Sequence, residues 1–191
     1  MRLDHIAYRT FDRTRTAKFF IDALGYKIQQ EFSITFDDGT TAQCVALEPP
    51  EKLNHAKSPW VHMAALPAGF INGQKDNPIN YYQEFHMPPE IFVSDGPPGS
   101  IVGEWVKSKG GIGGIHHIAY QVASVEATMK EWKEKGYAEF SSDEALKCPG
   151  LVQVFTRPSA LTGIIYEFIE RGEHGFCVDN VRSLIETTKG L

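Results

Sequence analysis

"GGIHHIAYQV", residues 113–122, contains a tetrapeptide that the chain has already used near its N-terminus. Residues 2–11 read "RLDHIAYRTF", so His5-Ile6-Ala7-Tyr8 and His117-Ile118-Ala119-Tyr120 are the same four letters. The residues downstream of each copy tell a repeat from a coincidence. Residues 9–28, "RTFDRTRTAKFFIDALGYKI", come after the first, and residues 121–140, "QVASVEATMKEWKEKGYAEF", after the second. Each predicts a strand, a helix, and a Gly-Tyr that ends the helix and opens another strand. In the first, Ala17, Phe20, Ile21 and Leu24 fall at helical spacing ahead of Gly25, a residue suited to a left-handed helix stop. In the second, Ser124 is placed to cap a helix whose Val125, Met129 and Trp132 share a face, and Gly136 ends it. The chain reads as a duplicated β-α-β unit.

The ends of the units extend the comparison. The second closes with "TGIIYEFIER", residues 162–171, a strand with Glu167 in its middle. The first closes best with "PPEIFVSDGPPGS", residues 88–100, in which Glu90 is followed by apolar residues and a Gly/Pro turn. Matching Glu90 to Glu167 leaves 35 extra residues in the first unit (90 − 5 = 85 against 167 − 117 = 50). They fall within residues 48–88, a stretch rich in turn formers that still carries Trp60, Phe70, Tyr81, Tyr82 and Phe85, as a lid or an interface would. The expected layout is a first βαβββ module over 1–95 with that insertion and a linker with a short helix over 96–114. A second βαβββ module follows over 115–171, then a helical tail over 172–191. The fold class is α+β, with the two modules forming a paired, curved mixed sheet around a cavity.

The 191 residues suffice for one sizeable core or two small modules sharing one. A net charge of −5 argues against nucleic acid as a partner, because phosphate binding needs a basic face. No apolar run has the length of a membrane span, and "MRLDHIAYRT" lacks the apolar core of a signal peptide. Cys44, Cys148 and Cys177, odd in number and far apart, fit neither a disulfide framework nor a thiolate zinc site. A reducing, cytoplasmic setting is the expectation, with a small molecule as the substrate.

Strand alternation locates the chemistry. His5, Ala7 and Arg9 share one face of the first strand, and His117, Ala119 and Gln121 share one face of the second. The opposite faces are apolar and should pack on their own helices, turning the histidine faces toward a cavity. His116 then points away from His117, as a packing or supporting residue. Two histidines and two carboxylates in equivalent positions of two units can converge on one ion. A joint charge of about −2 on the carboxylates neutralises a divalent cation. The imidazole and carboxylate mixture suits Fe(II), Mn(II), Co(II), Ni(II) or Zn(II). Taken alone, a strand histidine is more often a hydrogen-bonded core residue; the duplication is what favours ligation.

These motifs resemble the vicinal oxygen chelate superfamily, which includes glyoxalase I, methylmalonyl-CoA epimerase and extradiol dioxygenases. The resemblance rests on "LDHIAY", "GGIHHIAYQV" and "GIIYEFIER" in that order. Matched to the epimerase pattern, it implies metal ligands at His5, Glu90, His117 and Glu167. A second resemblance lies in the tail, where "YEFIERGEHGFCVDNVRSLIETTKG" is similar to the end of 4-hydroxyphenylpyruvate dioxygenase. That family implies a facial triad of His5, His117 and Glu167 for non-haem Fe(II), with the tail helix as a gate. The chain departs from it in having two units rather than four. It also has Cys177 and Asp179 where glycines are usual, and the extra candidate ligand Glu90.

Ligand count separates the chemistries. Four protein ligands leave two open positions, enough to chelate an enediolate during proton transfer, with Glu90 or Glu167 as base. Three leave room for a bidentate substrate and O₂. With Glu90 counted, the expectation is an isomerase, epimerase or lyase acting on a small 2-oxo or thioester substrate. The dioxygenase and a metal-free binding protein are the alternatives. Arg9 and Gln121 would orient the substrate, a rim salt bridge being the competing role for Arg9. Phe92, Phe155, Phe168 and Phe176 would wall the cavity. In this superfamily the two units close one cavity within a chain or exchange across a homodimer, and both arrangements stay open.

Overall fold

The computed structural model describes residues 1–49, 88–172 and 176–190. The expected insertion within 48–88 lies, but for its ends, outside the described residues, as do His55, His62 and His86. The fold is α+β. In chain order the elements are β1 (Arg2–Thr10), α1 (Arg13–Leu24), β2 (Lys27–Thr35), β3 (Thr41–Glu48) and β4 (Glu90–Asp95). Then come α2 (Ile101–Ser108), β5 (Gly113–Gln121), α3 (Val125–Glu134), β6 (Leu146–Cys148), β7 (Leu151–Phe155), β8 (Ile165–Arg171) and α4 (Val178–Thr187). The eight strands form one curled, half-barrel sheet in the order β2-β3-β4-β1-β5-β8-β7-β6. Read from its centre, the order is the same in both directions: β1 with β4, β3, β2, and β5 with β8, β7, β6. The antiparallel β1–β5 seam relates the two halves by a pseudo-two-fold axis.

Local signals start and stop the helices where expected. The Asp12 carboxylate accepts from the Arg15 N–H to cap α1, and Gly25, with φ 78°, ends it in the left-handed conformation. Ser124 caps α3 by accepting from the Ala127 N–H, and Ser100 caps α2 by accepting from the Gly103 N–H. The strand faces also sort as alternation predicts. Ile6 and Tyr8 pack with Ala17 and Phe20 of α1 and with Val45, Leu47, Ile91 and Val93. Tyr120 packs with Val125 and Met129 of α3 and with Phe168 and Val154. Phe168 is thereby on the helix side of the sheet, not on the cavity wall.

Register corrects the matching of the closing strands. Ala7 pairs with Phe92 and Ala119 pairs with Glu167. The residue equivalent to Glu167 is therefore Phe92, while Glu90 pairs with His5 and is equivalent to Ile165. The offset is two residues, which keeps Glu90 on the same face but moves it about 7 Å along the strand. The extra chain in the first unit is then 37 residues (92 − 5 = 87 against 167 − 117 = 50).

The cysteine reading is also corrected. Cys148 at the end of β6 and Cys177 at the N-cap of α4 form a disulfide across a separation of 29 residues, while Cys44 is free and buried. The sheet brings together two cysteines whose spacing carries no framework signature. Cysteine usage therefore no longer argues for a reducing compartment. Among the described residues no helix is long and apolar enough to cross a membrane.

Candidate metal centre

Three of the four expected ligands meet. His5 Nε2 and His117 Nε2 are 3.1 Å apart. Glu167 Oε2 lies 3.2 Å from the first and 3.1 Å from the second. Donors about 2.1 Å from a common ion and at right angles to one another are about 3.0 Å apart, so this triangle has the size of one face of an octahedron. All three side chains are buried, Glu167 to 1% exposure. Two imidazole nitrogens and a carboxylate oxygen aimed at one point fit a first-row divalent ion.

Glu90 is not part of the group. Its carboxylate accepts from Gln29 Nε2 at 3.3 Å and from Arg171 Nη2 at 3.3 Å, and it is 23% exposed. At the position equivalent to Glu167 stands Phe92, which cannot ligate. Its ring is 5.1 Å from that of Phe176, which lies 5.1 Å from His5 on another side.

Two irregularities in the β1–β5 seam complete the site. The register skips Asp4-His5 between Leu3 and Ile6, and skips His116 between Ala7–His117 and Tyr8–Ile115. Such bulges break alternation and re-aim side chains, so the residue before each ligand histidine also turns to its ring. Asp4 Oδ1 is 2.7 Å from His5 Nδ1, and His116 Nδ1 is 2.9 Å from His117 Nδ1. A carboxylate only accepts, so His5 carries its hydrogen on Nδ1 and presents Nε2 to the centre of the triangle. His117, with Nε2 in the triangle, donates from Nδ1 to His116, which places the hydrogen of a neutral His116 on its own Nε2. His116 thus contacts the His117 ring and lines the cavity instead of facing away from it.

Further hydrogen bonds hold the frame. Arg171 donates to both Asp4 oxygens, from Nε at 3.0 Å and Nη2 at 2.5 Å. Gln153 Nε2 donates to Glu167 Oε1 at 2.7 Å, and Asn180 Nδ2 donates to Gln153 Oε1 at 3.2 Å. Asn180 lies in α4, so the tail reaches the carboxylate through one intervening amide. Sequence patterns singled out none of Asp4, Arg171, Gln153 and Asn180. Only Asp4 had a signal available, its alignment with His116 in the repeat.

The electrostatics follow from these contacts. Burial alone would lower the His5 pKa, but the Glu167 charge and the Asp4 hydrogen bond outweigh it and raise it to about 9. His117 is lowered to about 4, burial prevailing over the pull of Glu167, with His5 and Arg9 adding repulsion. Burial would raise Glu167, yet the charge on His5 and the two histidine hydrogen bonds hold it well below the usual carboxylate range.

The cavity beside the triangle is lined by Ala7, Arg9, Phe92, His116, Phe155 and Phe176, and roofed by Val181, Leu184 and Ile185 of α4. Its free volume is about 30 Å³. Of the expected substrate contacts, Arg9, Phe92 and Phe176 are on this wall. Gln121 is not: it lies at the far end of β5, in register with Arg2.

Residues 4–147 match the glyoxalase/bleomycin resistance protein/dioxygenase superfamily. The chain belongs to that superfamily. No curated protein sequence matches it significantly. Among solved structures it is similar to a hypothetical protein from Bacillus halodurans (22% identity, 92% of this chain and 98% of that one, TM-score 0.58). It is similar to a methylmalonyl-CoA epimerase (19% identity, 91% and 97%, TM-score 0.60). It is similar also to a mutant of 4-hydroxymandelate synthase from Streptomyces coelicolor (17% identity, 98% of this chain but 53% of that one, TM-score 0.68). At these identities the likeness is one of fold.

Proposed function

We propose that this superfamily member is a non-haem Fe(II)-dependent oxygenase acting on a small 2-oxo acid. The observation that carries the reading is the ligand count: His5, His117 and Glu167 converge, and the fourth position is Phe92. Three facial donors leave three sites, two for a chelating substrate and one for O₂. The proton-transfer alternative loses one of its two expected bases, since Glu90 is held by Arg171 and Gln29 and is not on the cavity wall, and the other, Glu167, is one of the three converging donors. The metal-free binding alternative gives no reason for three buried donors to face one another.

Bound in this triangle, the ion would supply Lewis acidity and one-electron chemistry toward O₂. The remaining roles belong to the chain. Asp4 and His116 fix the tautomers and ring planes of the ligand histidines, and Gln153 occupies the Glu167 oxygen that the triangle does not use. Phe92, Phe155 and Phe176 exclude water and hold the organic part of the substrate. Arg9 supplies positive charge toward an acidic substrate.

The test begins with metal-stripped protein loaded anaerobically with Fe(II). Oxygen uptake that requires both Fe(II) and a 2-oxo acid is expected. Deuterium exchange at the carbon next to the oxo group, without oxygen uptake, would overturn the oxygenase in favour of proton transfer.

A further inference from the structure

The cavity has a second polar pole, distinct from the metal triangle. Arg9 shares a face of β1 with His5 but lies four residues on, about 13 Å between α-carbons along an extended strand. Its side chain lines the cavity at 2% exposure. One arm is occupied: Nη2 donates to the Thr188 hydroxyl at 2.9 Å, and the guanidinium lies 5.7 Å from the centre of the Trp105 ring. Among the described residues Nη1 is buried without a partner and no carboxylate pairs with Arg9. His116 Nε2, which carries a hydrogen because His116 Nδ1 accepts from His117, is likewise buried on the same wall without a partner among the described residues. Trp105 lies beside both groups, its ring centre 5.4 Å from that of His116. Folded proteins pair their buried charges, and an unpaired buried cation beside a cavity is half of an ion pair.

We infer that Arg9 Nη1 and His116 Nε2 bind a second acidic group of the substrate, which makes the preferred substrate a 2-oxo diacid. Its oxo-acid head lies at the His5–His117–Glu167 end, its apolar middle against Ala7, Phe92 and Phe155, and its distal carboxylate at Arg9. The assignment rests on the proposed function for the head group alone; the distal pole is carried by its own unsatisfied donors. Arg9 is a specificity residue, remote from the reacting atoms. The Thr188 hydroxyl, which donates in turn to the Ile185 carbonyl, orients the guanidinium before the carboxylate arrives.

Matched acids test this on the full chain loaded with Co(II). 2-Oxoglutarate is compared with 2-oxopentanoate, and 2-oxoadipate with 2-oxohexanoate, by the visible Co(II) spectrum and by calorimetry. At one chain length or both, the diacid binds about 10- to 100-fold more tightly than its monoacid partner, the range expected for charge-assisted hydrogen bonds. Arg9→Gln removes the diacid's advantage over its monoacid partner while Co(II) affinity stays within about threefold, and Arg9→Lys, which keeps the charge and guards against misfolding, retains part of that advantage. No diacid preference in the parent protein, or a preference that survives Arg9→Gln, overturns the distal pole and leaves the metal reading intact. If no 2-oxo acid perturbs the Co(II) spectrum while Co(II) is bound, the chelating head fails and the diacid assignment falls with it.

Discussion

Asp4→Asn perturbs the metal centre without touching a ligand. Asp4 accepts the His5 Nδ1 hydrogen at 2.7 Å and is gripped by Arg171 through two bonds, so its charge both orients His5 and raises its basicity. Partners of this kind are worth about 10- to 100-fold in metal affinity. A second effect has the opposite sign. With a pKa of about 9, His5 is protonated at pH 7 in the metal-free protein, and an ion must displace that proton. The displacement weakens apparent affinity by about 100-fold at pH 7, a penalty that shrinks tenfold per unit as pH rises toward 9. Asparagine removes one of the two carboxylates that raise His5, leaving Glu167, so its pKa falls and the proton competes less. At pH 6.5 the two effects partly cancel; at pH 8.5 the intrinsic loss stands nearly alone. Competition for Zn(II) against a chromophoric chelator, at both pH values, measures this. Parent affinity should climb about tenfold per pH unit over that range, the variant should climb less steeply, and its deficit should be larger at pH 8.5. Parallel slopes, or a deficit under about twofold at pH 8.5, would refute the coupling of Asp4 to the ion through His5. Arg171 keeps Glu90 as an anionic neighbour at 3.3 Å, so the variant should remain folded.

Two further substitutions probe the seam. His117→Ala removes a donor and should abolish metal binding in the same titration. His116→Ala leaves the triangle intact and should cost about 10- to 100-fold, with the reverse order overturning the alignment of the two tetrapeptides. Gly113→Ala should destabilise the fold by at least about 2 kcal/mol in urea unfolding, because Gly113 has φ 93° and a Cβ there would sit 2.0 Å from the Arg9 carbonyl oxygen. A cost below about 0.5 kcal/mol would show that β1 and β5 do not approach so closely at that point.

Much of this was legible because duplication supplies its own control. One HIAY strand predicts little, whereas two in equivalent surroundings predict a pseudo-symmetric sheet and a shared cavity. Period-two alternation correctly set Ile6, Tyr8 and Tyr120 against the helices and His5 and His117 toward the cavity. It failed at the bulges, where His116 turns inward, because an extra residue in one strand leaves no mark in a hydrophobic pattern. Glu90 was matched to Glu167 for a related reason. Both are acids on the correct face of a closing strand, and only the pairing of Ala7 with Phe92 reveals the two-residue offset. Gln153 and Asn180 carry no motif at all; the sheet and the tail bring them to Glu167 from 14 and 13 residues away (167 − 153, 180 − 167).

The two halves are alike in backbone and differ in what stands before each histidine. In both, a bulge turns the preceding side chain onto Nδ1. In the first half that residue is Asp4, an anion backed by Arg171; in the second it is His116, neutral and backed by nothing but its own orphaned Nε2. His5 is raised to about 9, by the Glu167 charge and by Asp4, while His117, without an anion on Nδ1, is lowered to about 4 by burial with repulsion from His5 and Arg9. The weak side is also the side that faces Arg9. Placing an anion at the Arg9 pole would accept the His116 Nε2 hydrogen, draw charge toward His116, and make its Nδ1 a better acceptor for His117. Substrate at the distal pole would then strengthen the weaker of the two histidine ligands. With a diacid bound as proposed, the asymmetry of "DHIAY" and "HHIAY" would join recognition at one end of the cavity to a metal at the other.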